Sequence, residues 1–416
     1  MDFWRLLTNH LAPDKLALIE EASNIASEEG TPLYIVGGAV RDLIIGRPVE
    51  DLDLVVEGDA ETFAYLVAKR LSGHVVSKSQ FSTAKVRVGD ILLDFITARN
   101  EHYHKPGALP QIAHGTIIED LSRRDFSINT MAVALHLGKE HPLIDQFGGM
   151  KDIQDGLIRS LHDKSFTDDA TRILRAIRYE QRLGFSMESN TQNFLTRDLR
   201  MIDTISGERL RKEFHRCLSE ENSIMILSRA SELGILPAIN PVLRNTLPTL
   251  RLAYTAASKK KLNSELSDNV LLALLAYKMT PEEGESFILR MRMPSRWMSI
   301  VRDTISLKSQ LSTLSLATLS KAELFQHLAS YNDQALKACM LAAKDEDTMQ
   351  LLLLFLRDLR NIKPALNGRD LIALGIPKGT AVGETLKNLL TARLDGKVTS
   401  KADEAEFVRK FLLSSD

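Results

Sequence analysis

The sequence predicts an α+β N-terminal part followed by an all-α remainder. Up to about residue 150 the chain contains glycines and short runs of β-branched residues, whereas after about residue 165 amphipathic helical patterns take over. Of the 416 residues, 44% are hydrophobic, which is ample for a buried core. A chain of this length is expected to form about two to three domains.

Six segments of the N-terminal part have the length and composition of strands. They are LYIVGG, LDLVV, HVVS, AKVRV, ILLDFI and MAVAL. Between the second and the third, AETFAYLVAKRLSG has apolar residues at helical spacing and ends at Gly73. Strands interrupted by a helix predict a compact α/β or α+β domain. Four later segments have the amphipathic pattern of helices: ATRILRAIRYEQRL, GERLRKEFHRCL, NSIMILSRASELGIL and DNVLLALLAYKM.

Composition excludes several classes of protein. Two cysteines argue against a disulfide scaffold and for a reducing compartment, and no apolar run approaches the roughly 20 residues of a membrane span. The polar start MDFWRLLTNH is unlike a signal peptide, so a cytoplasmic protein is expected. The balance of 53 Lys and Arg against 54 Asp and Glu at first argues against nucleic acid. However, basic residues concentrate in one stretch, which predicts a local basic face: Arg159, Arg172, Arg175, Arg178, Arg182, Arg209, Arg211, Lys212 and Arg216.

A glycine pair separates the first strand from a predicted helix. Gly37 and Gly38 follow the apolar run that ends at Val36, and AVRDLII has the pattern of a helix. Backbone amides at such a turn can approach an anion closely. A simple reversal of the chain is the more frequent explanation for a glycine pair alone.

Three aspartates favour a binding site near the glycine pair over a simple reversal of the chain. Asp51 and Asp53 are two residues apart on a predicted strand, so they share one face while Leu52 and Leu54 enter the core. Asp94 lies inside the apolar segment ILLDFI, where a charge is costly unless it is paired or bound to metal. Solvated aspartates at a strand end are the alternative. If the two strands are neighbours, three carboxylates form a site suited to Mg²⁺ and to phosphoryl or nucleotidyl transfer.

These motifs, in their order, resemble one enzyme family. GGAVRD, EDLDLVV, RRDFSINTMAV and DDATRILRAIRYEQRLGF are closely similar to motifs of the bacterial class II tRNA nucleotidyltransferase and poly(A) polymerase family. The resemblance is strong over residues 33–220 and weaker at GRDLIALGIPKGTAVGETL. It implies a nucleotidyltransferase head with a small mixed sheet flanked by helices over 1–150, a helical neck that selects the base over 151–220, and a helical body and tail that bind tRNA over 221–416.

The resemblance also implies the roles of particular residues. Asp51, Asp53 and Asp94 would be catalytic, with Asp51 and Asp53 binding Mg²⁺. RRDFSIN would contact the sugar and phosphates of the nucleotide, and DDATR its base. The expected nucleotide-binding residues are Gly37, Gly38, Arg41, Arg123, Arg124, Asp125, Asn129, Asp169, Arg172, Arg175 and Arg178.

Asp169 and Arg172 have the chemistry to select a base. Cytosine and adenine each present an amino donor beside a ring-nitrogen acceptor, whereas uracil and guanine present a carbonyl acceptor beside an N–H donor. A carboxylate and a guanidinium can therefore accept C and A and reject U and G, because a mispaired buried charge is costly. The family has Glu where this chain has Asp168, which leaves a role for Asp168 open. Arg172, Arg175 and Arg178 are spaced by three on a predicted helix. The alternative is that they form a solvated face of that helix.

The segment 100–122 is polar and contains Pro and Gly, which predicts a mobile loop. By resemblance it would help the site change from C to A. An ordinary connection is the alternative, although that length is unusual for one.

Two other functions compete with nucleotidyl transfer. His162-Asp163 is a dipeptide found in metal-dependent phosphohydrolases, but no partner ligands are evident, and a nucleic-acid-binding scaffold would not need the three aspartates. The prediction is an enzyme that adds CCA to the 3′ end of tRNA from CTP and ATP, with no membrane and no obligate protein partner. CC addition, A addition and poly(A) synthesis stay open as alternatives.

Overall fold

The computed structural model describes residues 2–49, 52–79, 83–102, 111–136, 141–313 and 319–413. Two compact units form, one of Met1–Glu213 with Glu220–Ile239 and one of Phe214–Ser219 with Asn240–Asp416. The strands of the described residues belong to the first unit: β1 (Leu33–Val36), β2 (Asp53–Val56), β3 (His74–Ser79), β4 (Thr83–Val88), β5 (Ile91–Thr97), β6 (Arg99–His102), β7 (Gln111–His114), β8 (Ala132–Ala134), β9 (Leu143–Ile144), β10 (Leu157–Ile158) and β11 (Ser186–Met187).

A seven-stranded mixed sheet organises the first unit. Its order is β3-β4-β5-β2-β1-β8-β9, with β2 and β5 parallel and the other neighbours antiparallel. All six predicted strands form, and the predicted α+β class with a mixed sheet is confirmed. The strands β6 and β7 form a separate two-stranded ribbon, and β10 and β11 form a short parallel pair.

Alternating side chains of the central strand β1 enter two different cores. Leu33 and Ile35 belong to the larger cluster, which also contains apolar residues of the N-terminal helices. Tyr34 and Val36 point the other way, into a smaller cluster with Ile117. Because successive side chains of β1 point to opposite faces, apolar clusters cover both faces of the sheet.

Helices make up most of the remainder. Those that begin in the first unit are α1 (Phe3–His10), α2 (Pro13–Glu28), α3 (Gly38–Ile44), α4 (Ala60–Arg70), α5 (Ile117–Ser122), α6 (Gly149–Asp155), α7 (Ser165–Asp168), α8 (Thr171–Leu183), α9 (Ser189–Arg197), α10 (Gly207–Leu218), α11 (Ser223–Glu232) and α12 (Ile235–Ile239). As predicted, α3 begins directly at the glycine pair, and α4 forms between β2 and β3.

The regular secondary structure of the second unit, in its described residues, is entirely helical. Its helices are α13 (Leu247–Lys259), α14 (Asp268–Ala276), α15 (Pro281–Met291), α16 (Ser295–Leu311), α17 (Lys321–Leu328), α18 (Asp333–Leu341), α19 (Glu346–Leu354), α20 (Gly368–Ala373), α21 (Thr380–Leu394) and α22 (Lys401–Leu413). Cys217 and Cys339 are buried within helices. Of the described helices, none is long and apolar enough to cross a membrane. The head, neck and tail boundaries stay a prediction.

The segment 100–122 differs from the predicted mobile loop. It contains the end of β6, the strand β7 and the helix α5, while 103–110 lies outside the described residues. The helix begins with a capping box, in which the Thr116 hydroxyl accepts from the Glu119 amide and the Glu119 carboxylate accepts from the Thr116 amide. Two of the polar residues of this segment, Thr116 and Glu119, thus begin a helix.

A buried carboxylate organises the last three helices. Glu404 of α22 is fully buried and accepts from the backbone amides of Ala365 and Leu366 at 2.9 and 2.8 Å, and from Arg393 Nη1 at 2.5 Å. These bonds join α22 to the segment before α20 and to α21. The three helices share a small core that contains Leu371, Leu389 and Val408.

We predict that Glu404→Gln lowers the free energy of unfolding by about 2 kcal/mol, because an amide cannot satisfy three donors as a carboxylate does. Urea denaturation measures the loss. Glu406→Gln on the same helix is the matched control, since the Glu406 side chain is 64% exposed and forms an ion pair with Lys410. Equal stability of the two variants would contradict the role of Glu404.

Candidate active site

The predicted catalytic carboxylates lie on neighbouring strands. Asp53 begins β2, and its direct partner across the parallel pair is Asp94 of β5. Paired residues on adjacent strands are about 5 Å apart and point to the same face, so the two carboxylates can share one cation. Asp51 lies outside the described residues, and its position stays a prediction.

A lysine extends this row across a third strand. Lys85 of β4 is paired with Asp94, and its Nζ lies 2.9 Å from both carboxylate oxygens. The side chain of Asp94 is 34% exposed, so solutes reach it. The ammonium neutralises Asp94 and shows that this position attracts positive charge.

The donor set fits a magnesium ion. Carboxylate oxygens are its preferred protein ligands, and it keeps several positions for water and substrate phosphates. In the described part of the chain, no three His, Cys, Asp or Glu side chains cluster as metal ligands. Asp53 and Asp94 therefore supply two carboxylates here, and the neighbouring Asp51 has the chemistry of a third.

The turn between β1 and α3 brings an arginine against the backbone. Gly37 has a φ of +68°, and a Cβ built on it would lie 2.4 Å from Arg124 Nη1. Only glycine leaves room for that guanidinium. The glycine pair thus joins two motifs that are more than 80 residues apart in the sequence, and Arg124 lies at the turn predicted to hold the triphosphate.

Asp125 is the centre of a buried network. Its carboxylate accepts from Arg175 Nε at 2.7 Å, from Asn129 Nδ2 at 2.9 Å and from the Phe126 amide at 2.9 Å. Burial alone would raise the pKa of Asp125, but Arg175, the hydrogen bond from Asn129 and the charge of Arg172 lower it to about 2. Asp125 is therefore ionised at neutral pH and keeps these partners in place.

Asn129 extends the network to Arg41. The Asn129 Oδ1 accepts from Arg41 Nη1 at 2.5 Å, and Arg41 also makes two hydrogen bonds to Asp42 at 2.9 and 3.0 Å. Four predicted nucleotide-binding residues, Arg41, Asp125, Asn129 and Arg175, are thus in continuous contact.

A second buried carboxylate holds the two arginines of RRDFSIN. Asp120 is fully buried and accepts from Arg123 Nη2 at 2.5 Å and from Arg124 Nη2 at 2.8 Å. Glu101 of β6 accepts from Arg123 Nη1 at 2.8 Å. Burial opposes ionisation of Asp120, yet Arg124 and Arg123 lower its pKa. These arginines are therefore fixed by the protein before any nucleotide binds.

Hydrogen bonds from the protein hold both residues that are predicted to select the base. Arg209 Nη2 donates to both oxygens of Asp169 at 2.9 Å, and the Thr171 hydroxyl donates to Asp169 at 2.7 Å. Arg172 Nη1 donates to the Ser165 hydroxyl at 2.8 Å, and its Nη2 donates to the Arg123 carbonyl at 2.6 Å.

Neighbouring Asp168 is bound differently. Its carboxylate lies 3.9 Å from His162 Nε2, and burial and the charge of Arg172 lower the pKa of His162. The His162 side chain lies beside Asp168 and is 39% exposed.

The arginine stripe of α8 is not a solvated face. Arg172 and Arg178 are buried, and so are Ile173 and Ile177 on the other side of the helix. Arg178 Nη1 donates to Glu220 at 3.2 Å, so a carboxylate neutralises it. Arg172 and Arg178 therefore do not belong to an exposed basic face, whereas the Arg159 and Lys212 side chains of the predicted set are 41% and 67% exposed.

The comparisons with known proteins match this arrangement. Residues 33–159 match the poly(A) polymerase head domain, and residues 184–247 match a probable RNA and SrmB-binding site of polymerase A. An A-adding tRNA nucleotidyltransferase of Halalkalibacterium halodurans is 32% identical over 97% of this chain and 95% of its own length. The chain belongs to the tRNA nucleotidyltransferase and poly(A) polymerase family.

Other members extend the likeness. An A-adding tRNA nucleotidyltransferase of Geobacter sulfurreducens is 33% identical over 96% of this chain, which spans only 47% of that relative. The Thermotoga maritima CCA-adding enzyme complexed with tRNA has a TM-score of 0.76 and 28% identity over 99% of both chains. A CCA-adding enzyme with CTP has a TM-score of 0.78 and 29% identity over 99% of both chains.

The sequence patterns do not identify two residues that support the site, Asp120 and Arg209. Asp120 lies three and four residues before Arg123 and Arg124, a spacing that brings side chains together on a helix and could have revealed the contact. Arg209 was assigned to a basic face, and nothing local connects it with Asp169, which is 40 residues away in the sequence.

We predict that Gly37→Ala lowers kcat/KM for nucleotide addition on the order of 100-fold, because Arg124 must move by about 1 Å. Steady-state kinetics with a nucleoside triphosphate measure the loss. Gly46→Ala is the matched control, since Gly46 has a φ of +71° and nothing lies within 4 Å of an added Cβ. The same loss in both variants would mean that backbone strain, and not the displaced arginine, is responsible.

Proposed function

We propose that this chain adds the CCA sequence to the 3′ end of tRNA, transferring CMP and AMP from CTP and ATP with release of pyrophosphate. The observation that carries the proposal is the register of Asp53 and Asp94, which puts two carboxylates on one sheet face in a chain of this family. Arg41, Arg124 and Arg175, held by buried acidic or amide partners, supply positive charge for a triphosphate.

A bound Mg²⁺ would be held by Asp51, Asp53 and Asp94, and would supply activation of the RNA hydroxyl and neutralisation of phosphate charge. The protein itself contributes orientation. Asp120 and Gly37 fix Arg124, and Asp125 fixes Arg175, so the guanidinium groups need little rearrangement when the charged substrate binds. In-line attack of the 3′-hydroxyl on the α-phosphate then transfers the nucleotide.

Base selection is assigned to Asp169 and Arg172. Asp169 would accept from the amino group of C or A, and Arg172 would donate to the adjacent ring nitrogen. Arg209 and Ser165 restrict the directions in which these two groups can point. Rigid placement matters because a carboxylate free to rotate could satisfy several bases.

A second candidate is addition of the terminal A alone. The two relatives compared above, both over 30% identical across nearly all of this chain, are A-adding tRNA nucleotidyltransferases. The solved CCA-adding enzymes are slightly more distant, at 28% and 29% identity. Full CCA addition is retained as the proposal because the base-selecting pair has the same chemistry for C and for A.

The deciding experiment is sequencing of tRNA 3′ ends after reaction with CTP, with ATP and with both. The tRNA substrates end at the discriminator base or at CC, and Mg²⁺ is present. We expect CC with CTP alone, CCA with both nucleotides, and A added to the CC-ending substrate. Extension of the CC-ending substrate only would favour the A-adding candidate, and a long A tract would favour poly(A) synthesis.

Asp53→Asn and Asp94→Asn serve as the catalytic controls. Each should lower kcat on the order of 1000-fold, because charge stabilisation in the transition state is lost. Mn²⁺ titration followed by electron paramagnetic resonance should show weaker metal binding in both variants, independently of activity. Full activity in both variants would refute the assignment of the metal site.

We predict that Arg172→Ala relaxes nucleotide choice, so that UTP competes with CTP and ATP. Loss of a buried charged hydrogen bond costs about 2 kcal/mol of discrimination, or roughly thirtyfold. Competition assays with mixed triphosphates measure the ratio. Arg197→Ala is the control, since the Arg197 side chain is half exposed and pairs with Asp198. Unchanged exclusion of UTP by Arg172→Ala would contradict the role in base selection.

A further inference from the structure

One aromatic ring lies in the middle of the predicted nucleotide-binding residues. Three guanidinium groups face Tyr179 of α8, with distances from the guanidinium carbon to the ring centroid of 4.8 Å for Arg178, 5.2 Å for Arg41 and 5.4 Å for Arg175. Arg175 Nη2 also donates to the Tyr179 hydroxyl at 3.2 Å. Each of these distances is within the range of a cation–π interaction.

The ring itself cannot move easily. Tyr179 is buried, and Phe126 contacts it edge to face, with ring centroids 6.0 Å apart and planes at 82°. Phe126 belongs to RRDFSIN, so α8 and that motif are locked together at this point. Because the ring is held in place, it can orient the guanidinium groups that contact it.

Charge neutralisation does not explain the ring. Each arginine already has an acidic partner: Arg41 contacts Asp42, Arg175 contacts Asp125 and Arg178 contacts Glu220. A simple packing role would be filled equally well by leucine. What the aromatic ring adds is direction, because a guanidinium is attracted to the negative face of the ring.

The ring also completes a closed set of contacts. Arg41 binds Asn129, Asn129 binds Asp125, and Asp125 binds Arg175. Both arginines at the ends of this series contact Tyr179. Removing the ring would open this closed series of contacts.

We propose that Tyr179 is a positioning residue for the incoming nucleoside triphosphate, holding Arg41 and Arg175 in the orientation that binds it. The proposal rests on the proposed function, because there these arginines bind nucleotide. Tyr179 acts through them, so its loss should weaken nucleotide binding more than it slows the chemical step.

The test replaces Tyr179 by Phe and by Phe carrying one, two or three ring fluorines. These side chains have nearly the same shape, but the negative potential of the ring face falls with each fluorine. We expect the Kd of an α,β-methylene ATP analogue, measured by calorimetry with Mg²⁺, to rise stepwise by about tenfold over the series. KM for ATP and CTP should rise in parallel, kcat should change less, and the thermal unfolding midpoint should stay constant.

Two leucine variants complete the design. Tyr179→Leu should raise the Kd at least as much as the most fluorinated ring, whereas Tyr179→Phe should restore most of the binding. Tyr65→Leu is the matched control, because Lys78 lies 4.9 Å from the ring of Tyr65 on α4, which carries no predicted nucleotide contact. This control should leave the Kd unchanged.

The outcomes separate this inference from the proposed function. A constant Kd across the fluorinated series would overturn the inference, whatever the RNA product. A graded Kd without nucleotide addition to tRNA would support the role of Tyr179 while refuting the proposed function. If the wild-type protein bound no analogue at all, both would be wrong.

Discussion

The candidate site depends on the buried ion pair of Asp125 and Arg175. A carboxylate that is 6% exposed is costly to ionise unless cations and donors surround it, and here Arg175, Asn129 and a backbone amide do so. Removing the Arg175 charge would leave the Asp125 carboxylate buried without its main cation, a loss of roughly 3–5 kcal/mol. The pair therefore fixes α8 against the RRDFSIN motif, and Asn129 carries that constraint to Arg41.

Pairing of this kind also neutralises many arginines of the first unit locally. The arginines expected to form a basic face are largely neutralised within the protein: Asp152 contacts Arg159, Glu220 contacts Arg178 and Asp169 contacts Arg209. Positive charge in such a site is organised at fixed positions, which suits a small triphosphate better than a long phosphate backbone.

Some of this arrangement could be predicted from sequence and some could not. Strand composition and the two-residue period located β1, β2 and β5, and the polar Asp94 in an apolar strand indicated the neighbour of Asp53. Helical periodicity separated Ile173 from Arg172, but it could not show that neighbouring elements would cover both sides of α8. The contact of Arg209 with Asp169 depends on tertiary packing, which no local pattern encodes.

Under the proposed CCA addition, the chemistry assigned to Asp169 and Arg172 leaves the order of C and A unexplained. Because C and A present the same donor and acceptor to this pair, the pair can exclude U and G but cannot place C before A. A further element must therefore distinguish the two steps. The structure connects the β6–β7 ribbon to the pair: Glu101 of β6 binds Arg123, and the Arg123 carbonyl accepts from Arg172. The β6–β7 ribbon and the Arg172 guanidinium are thus joined through a single residue, so neither can shift far without moving Arg123.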